Sequence, residues 1–483
     1  MNGEIEALCQ DRVFARFYQI CQIPHGSRNE RALSDFIIRW ALGIGLEAEQ
    51  DEVCNVLIRK PASPGYEAAL PVLLQAHLDM VCEKAEGVVH DFTQDPIQWV
   101  IQGDELSTGG RTTLGADDGI GVALAMAVLE DDTLAHPPLD ALFTVCEEED
   151  FTGAERFAPE KLRSARLINL DHTEDNVVVC GSCGGMRADF LQDVDWKPIP
   201  AGWTAWRLAV GGLRGGHSGD DIHRGRGNAN ILLARLLLAV EQESDFLLAE
   251  IRGGSFRLAI PREAEALLWL PPEKAAAVQA QCAVLENTFR RETPVTGERL
   301  NVTFTPAQAP QRGTVPGPVL DALTLLPDGI FQMDEAITGQ VDTSDNLGEV
   351  YPDGDGLRVV TEIRSAQPSL RTYLYQKMER LAALLGGRCQ CSVLYPSWEF
   401  RLHSPLRQTY SSVYQALCGE PPAMTTVHAG LEVGYFFDKR PDLDAIAIGP
   451  NCRDFHSPGE TLEISSVKKV YRCLCATLAA LRE

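Results

Sequence analysis

Five short stretches of this chain place acids and histidines in patterns that suit metal chemistry. They are AHLDM (His77, Asp79), GADDG (Asp117, Asp118), VCEEED (Glu147, Glu148, Glu149, Asp150), NLDHTED (Asp171, His172, Glu174, Asp175) and DFHSPGE (Asp454, His456, Glu460). Taken singly, each has a plainer reading. Asp117 and Asp118 precede an apolar run and suit the free N–H groups of a helix N-terminus. A histidine at a strand end is more often structural than a ligand, and a run of glutamates is usually a solvated face. Taken together they read differently. VCEEED follows the apolar run ALFTV and AHLDM follows VLL, so these acids stand at strand ends. Loops at the carboxyl ends of parallel strands converge. So many carboxylates in one pocket would repel one another and raise their pKa values, a conflict that cations resolve. Imidazole and carboxylate without thiolate suit zinc, manganese or cobalt in a hydrolytic site. The chain has no HExxH, so the sequence carries no helix-borne zincin motif.

The elements that must hold these groups are legible from periodicity. TTLGADDGIGVALAMAVLEDD (112–132) is a turn-rich loop feeding an apolar helix. A helix is expected over 5–23 and another in ERALSDFIIRWALGIGL. Strands are expected in NVLIRK, PVLLQAHLDM, DALFTVCEEED and ARLINLDHTED. Strands alternating with long helices imply an α/β domain with a mostly parallel mixed sheet flanked by helices. Near residue 186 the texture changes. MRADFLQDVDW and TAWRLAVGGL alternate like antiparallel strands, and EKAAAVQAQCAVLENTFRRE is an amphipathic helix. Helix–strand alternation returns with SPLRQTYSSVYQAL, DAIAIGP and SSVKKVYRCLCATLAALRE. The expected organisation is a catalytic domain from residues 1–185 and 398–483, interrupted by an inserted α+β lid or dimerisation domain over 186–397.

Composition narrows the class. The 483 residues are 45% hydrophobic and 23% charged, as in soluble globular proteins, and need two or three domains. A formal charge of −25 disfavours nucleic acid or an anionic membrane as partner. The acidic start, MNGEIEALCQDRVF, lacks an export pattern, and no apolar run reaches the length of a membrane span. The 14 cysteines are scattered, which reads as reduced thiols in the cytoplasm.

HLDM, TTLGADDGIG, the EE pair, INLD, GGHSGDDIHRGRGNAN, HAGLE and IGPNCRDFHSPGE, in that order, resemble the aminoacyl-histidine dipeptidases (peptidase D, Xaa-His or cytosol non-specific dipeptidases). These form a branch of the two-zinc metallopeptidase family that also holds peptidase V and carboxypeptidase G. The resemblance spans residues 77 to 460, and the GGHSG…GNAN string is specific to this branch. It implies that His77 and Asp171 bind one metal, Glu148 and His456 the other, and Asp117 bridges both. It implies that Glu147 is the general base and that Asp79 orients His77. The Asp117–Asp118 peptide is expected to be cis. His217 is similar to the family histidine that stabilises the tetrahedral oxyanion, supplied across a dimer or on domain closure. Arg364 resembles the arginine that grips a substrate carboxylate. Asn346, His428 and Glu432 are expected in the substrate pocket, with Glu432 meeting the substrate ammonium group.

Two departures stand out. Asp220 and Asp221 follow GGHSG where the resemblance leads to Gly-Glu, and Glu149–Asp150 stand where it leads to Ala-Gly. The function implied is a dinuclear-metal dipeptidase acting on unblocked dipeptides, of Xaa-His type or broader specificity, and working as a homodimer with two divalent ions, foremost zinc. Hydrolysis would use metal-activated water, with no covalent enzyme intermediate. The rivals are an N-acyl amino acid amidohydrolase of the same family and a non-catalytic binding protein on a peptidase fold. A two-metal phosphatase is a more distant third.

Overall fold

The structure is a computed structural model that describes residues 3–297 and 299–482. The chain packs as two compact units. The first comprises residues 1–181, 400–426 and 431–483, and the second comprises 182–399 with 427–430.

The first unit is built on an eight-stranded sheet of β1 (Glu47–Gln50), β2 (Val56–Lys60), β3 (Val72–His77), β4 (Leu139–Thr144), β5 (Arg166–Asn169), β6 (Val177–Ser182), β7 (Ala423–Val427) and β8 (Asp444–Ala447). Their order is β1-β2-β4-β3-β5-β8-β6-β7. The sheet is mixed. β3 runs parallel to β4 and β5, and β5 to β8. β1–β2, β2–β4 and β8–β6 are antiparallel. Every residue of β3 and β4 is buried, as central strands covered on both faces must be, which is why they read as largely apolar rather than alternating runs.

The helix Ala116–Glu130 is buried on all sides, through Val122, Leu124, Met126 and Val128. Phe17 and Ile20 of the helix Arg12–Cys21 share its core with Leu74 and Phe143 of the sheet. Each such side chain contributes about 1.5–3 kcal/mol by leaving water. Among the described residues no helix is long and apolar enough to cross a membrane.

Two local outcomes differ from the periodicity. The helix expected over 5–23 is two helices, Gly3–Leu8 and Arg12–Cys21. Asp11 divides them, because its side chain accepts Val13 N–H at 2.9 Å and caps the second. DALFTVCEEED is not strand throughout. β4 ends at Thr144, and Glu147–Asp150 form one short helical turn between two left-handed residues, Cys146 and Phe151.

The second unit is a nine-stranded sheet whose central strands include Gly184–Asp193, Val341–Asp353 and Gly356–Ser365. Val341–Asp353 pairs antiparallel with Gly356–Ser365, which pairs antiparallel with Gly184–Asp193. The helices Ala229–Glu243, Ala275–Glu292 and Pro368–Leu384 add Leu233, Leu237, Val278 and Met378 to a core shared with Leu208, Leu268 and Val359.

Candidate metal centre

Three parallel strands of the first unit end side by side. His77 is the last residue of β3, Asp171 follows β5 by two residues, and Glu147 follows β4 by three. The helix Ala116–Glu130 brings Asp117 to the same place, and the loop after β8 brings His456. The Asp117–Asp118 peptide is cis, as the resemblance leads one to expect.

The resulting distances are short. His77 Nε2 lies 3.2 Å from Asp117 Oδ1 and 3.8 Å from Asp171 Oδ1. His456 Nε2 lies 3.4 Å from Asp117 Oδ2 and 2.8 Å from Glu148 Oε1. Among the described residues, three trios have ligand atoms within 4.8 Å of one another: His77–Asp117–Asp171, Asp117–Glu148–His456 and His77–Glu147–Glu148. All donors are imidazole or carboxylate. The nearby Cys146 thiol turns instead to Glu30, at 3.3 Å. This donor set fits divalent zinc, manganese or cobalt.

Buried acids outside the trios hold the donors in place. His77 Nδ1–H donates to the Asp79 carbonyl at 3.0 Å, which leaves Nε2 facing the acids. The Asp79 carboxylate accepts from Glu147 N–H at 3.0 Å, Glu148 N–H at 3.2 Å and Ser27 hydroxyl at 2.8 Å. Glu30 accepts from Cys146 N–H at 3.1 Å. Cys146 sits at φ 56°, so these contacts help hold the left-handed residue that turns Glu147 and Glu148 inward. Asp118 accepts His77 N–H at 3.2 Å and Gly121 N–H at 3.2 Å.

Beneath the proposed ligands lies a polar layer in which Glu432, expected from the resemblance to meet the substrate ammonium group, joins Gln75, Thr144 and Asn169, which the sequence did not single out. Glu432 accepts from Gln75 at 2.6 Å and from Thr144 at 2.7 Å, and Gln75 accepts from Asn169 at 2.7 Å. Gln75 and Asn169 each stand two positions before a proposed ligand. A polar residue inside an apolar strand was the available signal. Glu432 is 2% exposed and enclosed by strand residues of this unit.

Without a cation these groups disagree about protons. Burial, together with Glu148, Glu432 and Asp117, pushes Glu147 well above the usual carboxylate range against the pull of His77. Burial and the charges of Asp117 and Asp118 raise Asp171 well above it too, and burial raises Glu148. Burial would raise Asp117 as well, but hydrogen bonds from His456 and His77 carry it far below its ordinary value. Hydrogen bonds to Asp117 and Glu148 raise His456 to about 10.

The metal-free protein is therefore expected to lose stability as pH rises. Glu147, Glu148, Asp171 and His456 all bind protons more tightly folded than unfolded. Such a folded state weakens as pH climbs from the carboxylate range through that of His456. Asp117 acts in the opposite sense only below its ordinary 3.8, and His172 and His428, lowered by burial to about 4 and about 3, act so only up to their ordinary 6.5, so the loss is read above that pH. Thermal melting of chelator-treated protein between about pH 5 and 9 checks this, and added zinc should stabilise most at the alkaline end, where it meets least competition from protons. A flat or rising metal-free curve would contradict the assignment.

The extra acids Glu149 and Asp150 turn outward. They pair with Arg28 at 2.5 and 2.7 Å, and all three side chains are about half exposed. Exposed pairs of this kind contribute little. Arg28→Ala is expected to leave Tm and turnover essentially unchanged, and a clear loss of bound metal would show that these acids matter to the site. His172 is half-buried, its pKa lowered to about 4 by desolvation, and among the described residues it joins none of the trios.

The second unit carries its own cluster. Arg364, 2% exposed, donates to Tyr395 hydroxyl at 2.9 Å and Ser218 hydroxyl at 3.2 Å, and lies 3.5 Å from His217 Nε2. His428 Nε2 is 2.7 Å from Ser344 hydroxyl. Asn346 is a strand residue, not a turn residue. Its amide donates to the Arg257 and Ala259 carbonyls at 2.8 and 3.0 Å, and Ala259 pairs with His217. Asp220 lies 3.2 Å from His217 Nδ1. Asp221 accepts His217 N–H at 2.9 Å and pairs with Arg226 at 2.8 Å. The two extra acids thus flank His217 itself.

The model of peptidase family M20/M25/M40 matches residues 73–480. The cytosol non-specific dipeptidase of Escherichia coli (strain K12) is 36% identical over 479 residues, 99% of each chain. Among solved structures, the aminoacylhistidine dipeptidase of Vibrio alginolyticus matches with a TM-score of 0.91 at 35% identity, over 99% of this chain and 98% of that one. Aminopeptidase PepT of Bacillus cereus, 13% identical with a TM-score of 0.58 over 98% of this chain and 99% of its own, shares the fold. The mixed sheet with acids and histidines at its parallel strand ends is thus a peptide-bond hydrolase scaffold, and the chain belongs to peptidase family M20/M25/M40.

Proposed function

We propose that this protein is a dinuclear-metal dipeptidase that hydrolyses unblocked dipeptides, of Xaa-His type or more broadly, with zinc as its working metal. The observation that carries the reading is Asp117, whose two oxygens face different histidines, Oδ1 towards His77 and Oδ2 towards His456. A carboxylate shared between two ions needs that disposition. His77 and Asp171 would hold one ion, Glu148 and His456 the other, and Asp117 both. Ions held by these residues would supply polarisation of a scissile carbonyl and a more acidic water.

Glu147 accepts the proton of the attacking water and returns it to the departing amine. Its burial among acids gives it the proton affinity this needs. Asp79 sets the His77 tautomer and fastens the turn that presents Glu147 and Glu148. In the second unit, Arg364 is assigned to the substrate carboxylate and His217 to the developing oxyanion, with Asn346 and His428 supporting them. For Glu432, enclosure by Gln75 and Thr144 favours a role in holding strand ends over one in meeting the substrate. The residues at 186–397 serve as lid or dimerisation domain in this reading, and the protein works as a cytoplasmic homodimer. The E. coli relative's name, with its "cytosol" and "dipeptidase", supports the compartment and the substrate class.

The test is a panel of free dipeptides, N-acetyl amino acids and a tripeptide, offered to zinc-loaded protein. Cleavage confined to free dipeptides supports the reading. Cleavage confined to N-acetyl amino acids would replace it with an amidohydrolase.

A further inference from the structure

The loop that delivers Asp117 points four successive backbone N–H groups at one side chain. Glu460 Oε2 accepts from Leu114 at 2.6 Å and Gly115 at 3.1 Å, and Oε1 accepts from Ala116 at 2.8 Å and Asp117 at 3.4 Å. Glu460 is 2% exposed. It stands four residues after His456, in the same DFHSPGE loop, and its own N–H donates to the Ser457 carbonyl at 3.1 Å. One carboxylate therefore ties the loop of Asp117 to the loop of His456, across 343 residues of sequence.

The chemistry of the contact is specific to a carboxylate. Ionised, it offers about four lone-pair sites and no donor, and all four are used. A glutamine of the same shape would turn an NH2 group towards two N–H donors and leave them buried without acceptors, which is costly. The ion assigned to His77 and Asp171 rests on the ends of β3 and β5. The ion assigned to Glu148 and His456 rests on a loop that Glu460 fastens.

We propose that Glu460 is a positioning residue that sets Asp117 against His456, and so sets the affinity of the ion these two share with Glu148. This rests on the dinuclear reading above. Its test reads metal affinity without substrate, so its outcome is separate from whether dipeptides are cleaved.

The experiment uses the full chain, stripped of metal and titrated with zinc against a chromophoric chelator, with cobalt absorption as a second readout. Wild type is compared with Glu460→Gln, Glu460→Asp and Asp140→Asn. Asp140 lies at the far end of β4, where it accepts from Arg163 at 2.6 Å and Ser164 at 2.9 Å. Its substitution reports the effect of merely weakening the same unit. Glu460→Gln is expected to bind one equivalent about 10–100-fold more weakly, as changes behind metal ligands do, with the other within about threefold. The cobalt spectrum should change, and kcat should fall with little movement of KM. Glu460→Asp, which keeps the charge but reaches less far, should fall between wild type and Gln, and it decides the matter if the Gln protein does not fold. Asp140→Asn should lower Tm and leave both affinities alone. Wild-type affinity for both ions in the Glu460 variants would overturn the proposal. So would a loss that Asp140→Asn reproduces at equal Tm.

Discussion

Asp117→Ala is expected to abolish dinuclear binding and to reduce kcat/KM by about 10³-fold or more. Two bound ions supply several kcal/mol to an acyl-transfer transition state, and each 1.36 kcal/mol is a factor of ten. Asp117 faces both His77 and His456, with Oδ1 3.2 Å from the first and Oδ2 3.4 Å from the second. Its removal takes a donor from each trio that would hold an ion and leaves the two histidines without the carboxylate between them. Metal counting on the dialysed variant, with its kinetics, measures the effect. Two ions per chain in Asp117→Ala would end the bridging role.

The second large effect belongs to Glu147. Glu147→Gln preserves shape and removes the proton acceptor, and general-base catalysis is typically worth about 10²–10⁴-fold. The loss should fall on kcat, with KM little moved, because the side chain meets the proton of water rather than the body of the substrate. Both ions should remain, since the assigned ligands His77, Asp117, Glu148, Asp171 and His456 are untouched. Removing one of several crowded acids should also ease the raised proton affinity of Asp171, for which Glu147 is one of the causes. Near wild-type turnover with metal bound would remove Glu147 from the mechanism.

Much of the candidate centre was legible because several of its proposed residues, His77, Asp171 and Glu147, end or closely follow apolar strands. His77 closes a run in which every residue is buried, and a histidine in that position has no solvated face to occupy. Asp171 after LIN and Glu147 after ALFTV carry the same mark. What could not be read was how those ends are held. The turn that presents Glu147 depends on Asp79 and Glu30, residues 68 and 116 positions away, and no local pattern encodes such partners. The acid run therefore read as a continuation of strand, where the structure makes a single helical turn.

The strand Val341–Asp353 was missed for a related reason. Its Asp342, Thr343, Ser344, Asp345 and Asn346 are polar yet buried. Alternation gives no signal when both faces carry polar groups. Several of them are answered within the second unit, Thr343 by Ser365 at 2.9 Å and Ser344 by His428 at 2.7 Å. DNLG in isolation suggests a turn. Only the pairing of Asn346 with Glu362 across the sheet shows otherwise. Glu460 is a third case. Its motif stood out, but the four N–H groups it gathers come from the other end of the chain.

In the proposed function, two ions gathered around Asp117 make this chain a dipeptidase. The most direct measurement is the rate of dipeptide cleavage by metal-stripped protein during titration with zinc, with bound metal counted at each step. The account predicts that two equivalents bind per chain and that full activity appears only as the second is filled. Full activity at one equivalent, or two ions bound with no free dipeptide cleaved, would contradict it.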